Sequence, residues 1–300
     1  MRFSGLSILR MTASILSLAA LVNAPAHAEI SIRDDAGSEL HLATAARRVV
    51  SLAPHVTENL FAIGAGDRIV GTVDYSDYPE AAKKIPRIGG YSRIDLEAVA
   101  ALRPDLVVAW QTGNDMAQMD KLRALGIPVL LTQSNHIEDV AASMERFGEA
   151  TGTSSTARIA ARAFRERVAA LRTRYGSQPK VRSFYEVWHQ PLMTVGGGQI
   201  ISDVIHLCGG ENIFADLNAM APKVSEEAVV AANPEAIIAS GMGEARPDWL
   251  DNWRQWRAMT AVARNNLFFI PPELIQRHTS RLLDGAEMLC GFLVTARKRR

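Results

Sequence analysis

The side chains that could do chemistry in this chain are rings rather than acids, bases or nucleophiles. Tyr75, Tyr78, Tyr91 and Trp110 fall where the apolar and turn patterns place the ends of strands or the starts of helices. Trp188, in the run Trp188-His189-Gln190-Pro191, holds the corresponding place in the second half. In open parallel sheets those loops line the ligand crevice. A flat, largely uncharged ligand would stack on such rings and meet the tyrosine hydroxyls. Catalytic patterns are missing: there is no G-x-S-x-G and no Ser/His/acid order. Gly196–Gly198 lacks the order of a phosphate loop and reads as a tight turn. The seven histidines are scattered without metal-ligand spacing, although His189 and His278 could face a cleft. No protein-bound metal or cofactor is expected.

The chain uses one segment twice. Residues 94–110 and 224–240 align without a gap at an offset of 130, with Glu97/Glu227, Ala98/Ala228, Val99/Val229, Ala101/Ala231, Pro104/Pro234 and Ala109/Ala239 identical. Each copy reads as a short helix, a proline stop and a buried strand. A second pair, residues 58–71 and 202–215, matches Gly66 with Gly210 and Ile69 with Ile213. Two similar lobes with a cleft between them follow. Glu97 and Glu227 sit in the first turn of each repeated helix. There an acid interacts favourably with the helix dipole, and Asp95 and Ser225 are candidate caps. Equally, the pair offers one exposed carboxylate per lobe to a basic partner.

The elements that position these residues alternate. Strands at 49–52, 69–73, 106–109 and 129–131 are separated by helices at 57–64, 96–102 and 116–125, which implies a parallel sheet with helices on both faces. The fold class is therefore α/β: two similar lobes, each a mostly parallel sheet flanked by helices. Residues 153–177 read as one long helix, opened by the Thr153–Ser155 cap and closed by Gly176, that joins the lobes rigidly. The lobes themselves span residues 46–152 and 178–300. Residues 249–263 read as a helix whose Trp249, Trp253 and Trp256 serve the core. The basic end, residues 297–300, reads as a solvated tail.

Residues 1–28 read as a cleaved secretory signal: arginines flank a short apolar run, followed by Ala26-His27-Ala28. No other stretch approaches the ~18 apolar residues of a membrane span, and no cysteine follows the run to carry a lipid. An exported, unanchored protein, most simply periplasmic, is expected. A net charge of +1 speaks against nucleic acid as a partner. Cys208 and Cys290 suit an oxidising compartment and are expected to pair, the alternative being two buried thiols; no C-x-x-C suggests redox work.

The segments VVSLAPHVTENLFAIGAGDRIVG, VDYSDYPEAAKKIPRIGGY, LEAVAALRPDLVVAWQTGN, LCGGENIF and VSEEAVVAANPEAII, with Cys290 beyond them, carry a resemblance. Over about residues 48–293 the chain resembles the periplasmic binding proteins of ABC importers whose two lobes are joined by one long helix. That class serves iron-siderophores, haem and cobalamin, and its cobalamin-binding members are the most similar. The resemblance implies a corrinoid ligand, delivery to the membrane subunits of an importer, and no enzymatic activity. It implies ligand contacts from Pro54, Tyr75, Tyr91 and Trp110 of the first lobe and Met193, Glu273 and Arg277 of the second, with Trp188 as a compensating ring. It implies docking through Glu97 and Glu227, a Cys208–Cys290 bridge and a monomer. Tyr91 stands where a tryptophan is common, Met193 where an aromatic is often found, and Ala221 where a cleft tryptophan is. A ferric-siderophore or haem receptor is the alternative within the class. The siderophore case would use Arg87, Arg93, Arg277 and Arg281, and the haem case an axial Tyr75, Tyr91 or His55. An exported α/β enzyme is the alternative outside the class.

Overall fold

Two four-stranded parallel sheets with the same strand order organise the computed structural model, which describes residues 29–241 and 245–300. The expected signal segment lies outside the described residues.

An antiparallel hairpin, β1 (Ile30–Arg33) and β2 (Glu39–Leu42), comes first and turns Ile32 and Leu42 into the core. The sequence reading missed this hairpin, whose apolar residues are too few to stand out. The first lobe continues through β3 (Val49–Ser51), α1 (Pro54–Ala62), β4 (Ile69–Thr72), the two-residue ladder of β5 (Gly89–Gly90) and β6 (Arg93–Ile94), α2 (Leu96–Ala101), β7 (Leu106–Trp110), α3 (Met116–Ala124), β8 (Val129–Thr132) and α4 (Ile137–Thr151). Its sheet order is β4-β3-β7-β8. α1 starts earlier than the expected residue 57. Pro54 sits at its first turn, where a missing N–H costs nothing.

α5 (Ser154–Tyr175) then carries the chain towards the second sheet over 22 residues, roughly 33 Å at 1.5 Å per residue. Thr153 occupies its N-cap position, but its side chain does not cap. Its hydroxyl instead pairs with that of Thr151 at 3.0 Å. The second lobe runs β9 (Val181–Glu186), α6 (Ile200–Leu207), β10 (Gly210–Asn212), α7 (Glu226–Ala232), β11 (Ala236–Ala239), α8 (Thr260–Ala263), β12 (Leu267–Phe269), α9 (Pro272–Ile275) and α10 (Leu282–Lys298). Its order is β10-β9-β11-β12, the first sheet repeated element for element. The expected helix at 249–263 is instead a 3-10 segment, Asp248–Gln255, a break, and the single turn of α8. Trp253 is buried in the core as expected, while Trp249 and Trp256 are only half-buried.

Alternation within the strands explains the layers. Val49, Leu106, Val108 and Leu130 face one side of the first sheet and Val50, Val107, Ala109 and Leu131 the other. In the second sheet Tyr185, Ala236 and Ile238 face one side, and Phe184, Ile237 and Ala239 the other. Each sheet is thus buried on both faces, the usual condition of parallel strands. The first-named faces share one cluster that runs from α1 and α4 through Ala157, Ala161, Phe164, Val168 and Leu171 of α5 to α6 and α10. Cys208 and Cys290, both fully buried, are joined by a disulfide that ties the end of α6 to α10, with 4.7 Å between their Cα atoms. The basic end is no free tail. Arg297 donates to the carbonyls of Pro179, Cys208 and Gly209, and Arg300 pairs with Glu235 at 2.9 Å.

Candidate functional site

In each lobe the strand order reverses between the first and third strands of the sheet, β3/β7 and β9/β11, and in open parallel sheets ligands bind beyond the carboxyl ends at such a reversal. Pro54 and His55 follow β3, and Trp110 ends β7. They flank the first reversal point. Glu186 and Ser240 flank the second, at the ends of β9 and just beyond β11.

On the first lobe the rings form a wall. Tyr91 and Trp110 have centroids 6.0 Å apart, and His55 meets Trp110 edge-on at 5.3 Å. Asn114 wires this wall together. Its Oδ1 accepts from the Trp110 amide at 2.6 Å, and its Nδ2 donates to the carbonyls of Tyr91 at 2.6 Å and Leu52 at 2.9 Å. The sequence reading missed Asn114, since an asparagine before a helix reads as turn chemistry. Gly113 makes room for the indole: a Cβ there would lie 1.8 Å from Trp110 Cε3. Gly113→Ala is therefore expected to displace the ring and destabilise the fold by about 1–3 kcal/mol. Tryptophan emission and the urea midpoint check this; an unchanged spectrum would contradict the placement.

The second lobe closes against this wall through the segment after β12. His278 lies 5.4 Å from the His55 ring and 6.5 Å from Trp110. Its carbonyl accepts from Asn59 Nδ2 at 2.9 Å. Arg277 Nη1 pairs with Glu58 and with Asp77, each at 2.8 Å. Arg281 lies 3.6 Å from Glu58 and stacks over the Tyr78 ring at 4.2 Å. Burial pushes the Glu58 carboxyl up, against the pull of Arg277 and Arg281. Burial also acts on Asp77, but there Arg277 wins and the carboxyl is held below its usual range. The two histidines stay uncharged at neutral pH. Burial depresses His55 well below the usual imidazole range, with His278 and Arg277 adding to the effect, and burial pushes His278 down to about 4. Trp110 Nε1 and His278 Nδ1 are buried with no hydrogen-bond partner.

Of the other residues singled out from sequence, Tyr75 is 72 % exposed and has a φ of +63°. That is a left-handed backbone that costs a bulky residue about 1–3 kcal/mol. Trp188 is 37 % exposed and pairs with Met193 across an antiparallel bridge. Among the described residues it shares no ring contact with the Tyr91–Trp110 wall. Glu273 is half-buried in the first turn of α9. Glu97 and Glu227 are exposed, at the second position of α2 and α7, and the expected caps are present. Asp95 accepts from the Glu97 and Ala98 amides, and Ser225 from the Ala228 amide. Among the described residues neither glutamate forms an ion pair.

Glu186, which the sequence reading did not single out, is fully buried, and burial pushes its carboxyl up to about 8. It accepts from Trp253 Nε1 at 2.7 Å and lies 3.2 Å from His189 Nδ1, whose ring stacks on Trp249 at 5.5 Å. As a neutral acid it can donate to that nitrogen while accepting from Trp253. A folded-state value above the unfolded one stabilises below about 4.5, and that contribution is lost as pH rises through about 8. Glu186→Gln is thus expected to flatten the decline in stability between pH 5 and 8.5 by roughly 2 kcal/mol or more, read from urea midpoints. Equal pH slopes in the two proteins would show the acid to be ionised throughout.

Two duplicated lobes, a wall of rings at the strand reversal of the first and an interlobe junction of paired charges are the architecture of a solute-binding protein. The comparisons agree. The sequence profile of the family described as periplasmic binding protein matches residues 49–274, and the chain belongs to that family. It is 35 % identical to the vitamin B12-binding protein of Vibrio parahaemolyticus over 254 residues, 84 % of this chain and 91 % of that protein. It is 39 % identical to the one from Yersinia pestis over 249 residues, 83 % and 86 % of the two chains. Among solved structures it is similar to the periplasmic vitamin B12-binding protein BtuF of Vibrio cholerae, with a TM-score of 0.78 and 35 % identity over 84 % of this chain and 98 % of that one. The periplasmic haem-binding protein RhuT of Roseiflexus shares the fold, with a TM-score of 0.70 and 22 % identity over 84 % and 100 % of the chains.

Proposed function

We propose that this protein captures cobalamin or a related corrinoid between its lobes and delivers it to the membrane subunits of an ABC importer. It makes and breaks no bond. It acts as a monomer in the periplasm after removal of residues 1–28. No described helix is long and apolar enough to cross a membrane. The observation that carries the ligand class is the Tyr91–Trp110–His55 wall at the strand reversal, uncharged throughout, in a chain 35–39 % identical to vitamin B12-binding proteins. A corrin offers a flat face with an amide fringe. Stacking would supply the affinity and the polar atoms of Tyr75 and Glu273 the register.

An anionic siderophore needs free cations, and of the four candidate arginines three are engaged, while Arg93 is exposed and among the described residues forms no ion pair. Arg277 and Arg281 serve Glu58 and Asp77, and Arg87 donates to the carbonyls of Ala82 and Ser76. Titration calorimetry with cyanocobalamin, cobinamide, haemin and a ferric siderophore side by side tests the reading. The corrinoids are expected to bind, and haemin or siderophore binding without corrinoid binding would overturn it. Trp110→Ala is expected to weaken cyanocobalamin binding by about 1–3 kcal/mol, and unchanged affinity would remove the ring from the site.

A further inference from the structure

Tyr75 is a mostly exposed ring on a strained backbone, so packing does not set its pose. Its turn does. Ser76 N donates to the Val73 carbonyl at 3.3 Å, Asp74 N to Gly89, and Arg87 Nη2 to the Ser76 carbonyl at 2.7 Å. One further support comes from the other lobe. Arg277 Nη2 donates to the Tyr75 carbonyl at 3.1 Å, while both protons of its Nη1 are directed at Asp77 of the same turn and at Glu58 of α1. Three acceptors on two elements of the first lobe converge on one guanidinium 200 to 219 residues away in sequence. A planar fork with fixed donor directions can span them, and a lysine ammonium cannot.

We propose that Arg277 is a positioning residue: it reaches across the interlobe junction to hold the Tyr75 backbone in its left-handed pose, so that the ring is presented to the ligand only while the lobes are apposed. This rests on the reading of Tyr75 as a ligand contact. It differs from a direct ligand role for Arg277, because the guanidinium is spent on the first lobe. It also gives lobe spacing a route to affinity, since separation would release the turn and its ring together.

The test is a double-mutant cycle on the mature protein, read by calorimetry with cyanocobalamin. Arg277→Gln is expected to weaken binding about fivefold or more when Tyr75 is present and less than about twofold in the Tyr75→Ala background. Equal losses in both backgrounds, or no loss in either, would overturn the proposal. Arg277→Lys keeps the charge, guards against a folding failure of the glutamine variant and is expected to behave like it. Hydrogen exchange without ligand supplies a second readout. Amides 74–78 are expected to exchange faster in Arg277→Gln and Arg277→Lys, with α5 unchanged, and unchanged exchange in the turn would overturn the tie. That arm stands apart from the ligand: if the wild type does not bind cyanocobalamin, the corrinoid reading fails while exchange still decides whether Arg277 holds the turn.

Discussion

Reversing the charge at both Glu97 and Glu227 is expected to abolish corrinoid uptake while leaving ligand affinity intact. The two carboxylates occupy the same position in duplicated helices, are exposed, and among the described residues bind no cation. Glu227 is held below its ordinary value by hydrogen bonds from its own amide and from Ser225, so it is ionised throughout the physiological range. A duplicated receptor presenting one carboxylate per lobe matches a two-fold transporter carrying a basic group on each half. Such charges set encounter and register more than they set ligand affinity. Part of any effect on folding comes from the helix dipole, about 0.3–1 kcal/mol for each acid in a first turn. A Glu97→Gln/Glu227→Gln pair separates that contribution, because it removes the dipole term without adding repulsion. Uptake assays in cells lacking the native receptor, with calorimetry on the purified variants, give the two readouts. Normal transport by the double reversal would remove these residues from docking, and a parallel loss of affinity would place them in the ligand site instead.

Replacing both cysteines is expected to lower the stability of the protein by about 4–5 kcal/mol, the chain-entropy value for closing a loop of this length. The bridge spans 82 residues, from the end of α6 to the middle of α10, and therefore encloses most of the second lobe. Both helices belong to the cluster that α5 extends into from the first lobe. Loosening them would disturb the support behind the cleft as well as the second sheet. Urea unfolding of the Cys208→Ala/Cys290→Ala protein beside the oxidised wild type measures the effect, and a difference below about 1 kcal/mol would assign the stability of this lobe to packing alone. Ligand binding should survive at low temperature, since the bridge joins two helices of the second lobe and Cys208 Sγ meets the Ala286 carbonyl there.

How much of this was legible in the chain depends on the range of the interaction. The duplicated sheets could be read because parallel strands buried on both faces are unbroken apolar runs. The runs at residues 106–109 and 236–239 differ in sequence yet hold the same place in matched sheets. The caps at Asp95 and Ser225 were readable because a cap acts within three residues. The tryptophan-bearing stretch after residue 248 misled, since its spacing suits a helix while the chain there takes a 3-10 path that buries Trp253 alone among its three tryptophans. Asn114, Glu58, Asn59 and Glu186 left no such trace. Their long-range hydrogen-bond partners lie between 23 and 219 residues away, and nothing local distinguishes a polar residue that will be buried and paired from one that will be solvated.

The amino-acid sequence by itself determined the α/β class, the duplication, the long helix between the halves and the places where aromatic rings follow strands. The duplication shows as residue identities between segments 130 apart, and the rest depends on unbroken apolar runs, helical periodicity or local turn chemistry. Tertiary structure alone decided which rings meet, that the His55–His278 pair is buried uncharged beside Trp110, and that Arg277 is spent on Glu58, Asp77 and Tyr75 across the lobes. The reason is that burial and pairing depend on what the opposite lobe brings, and that is settled only when two sheets close on a common core.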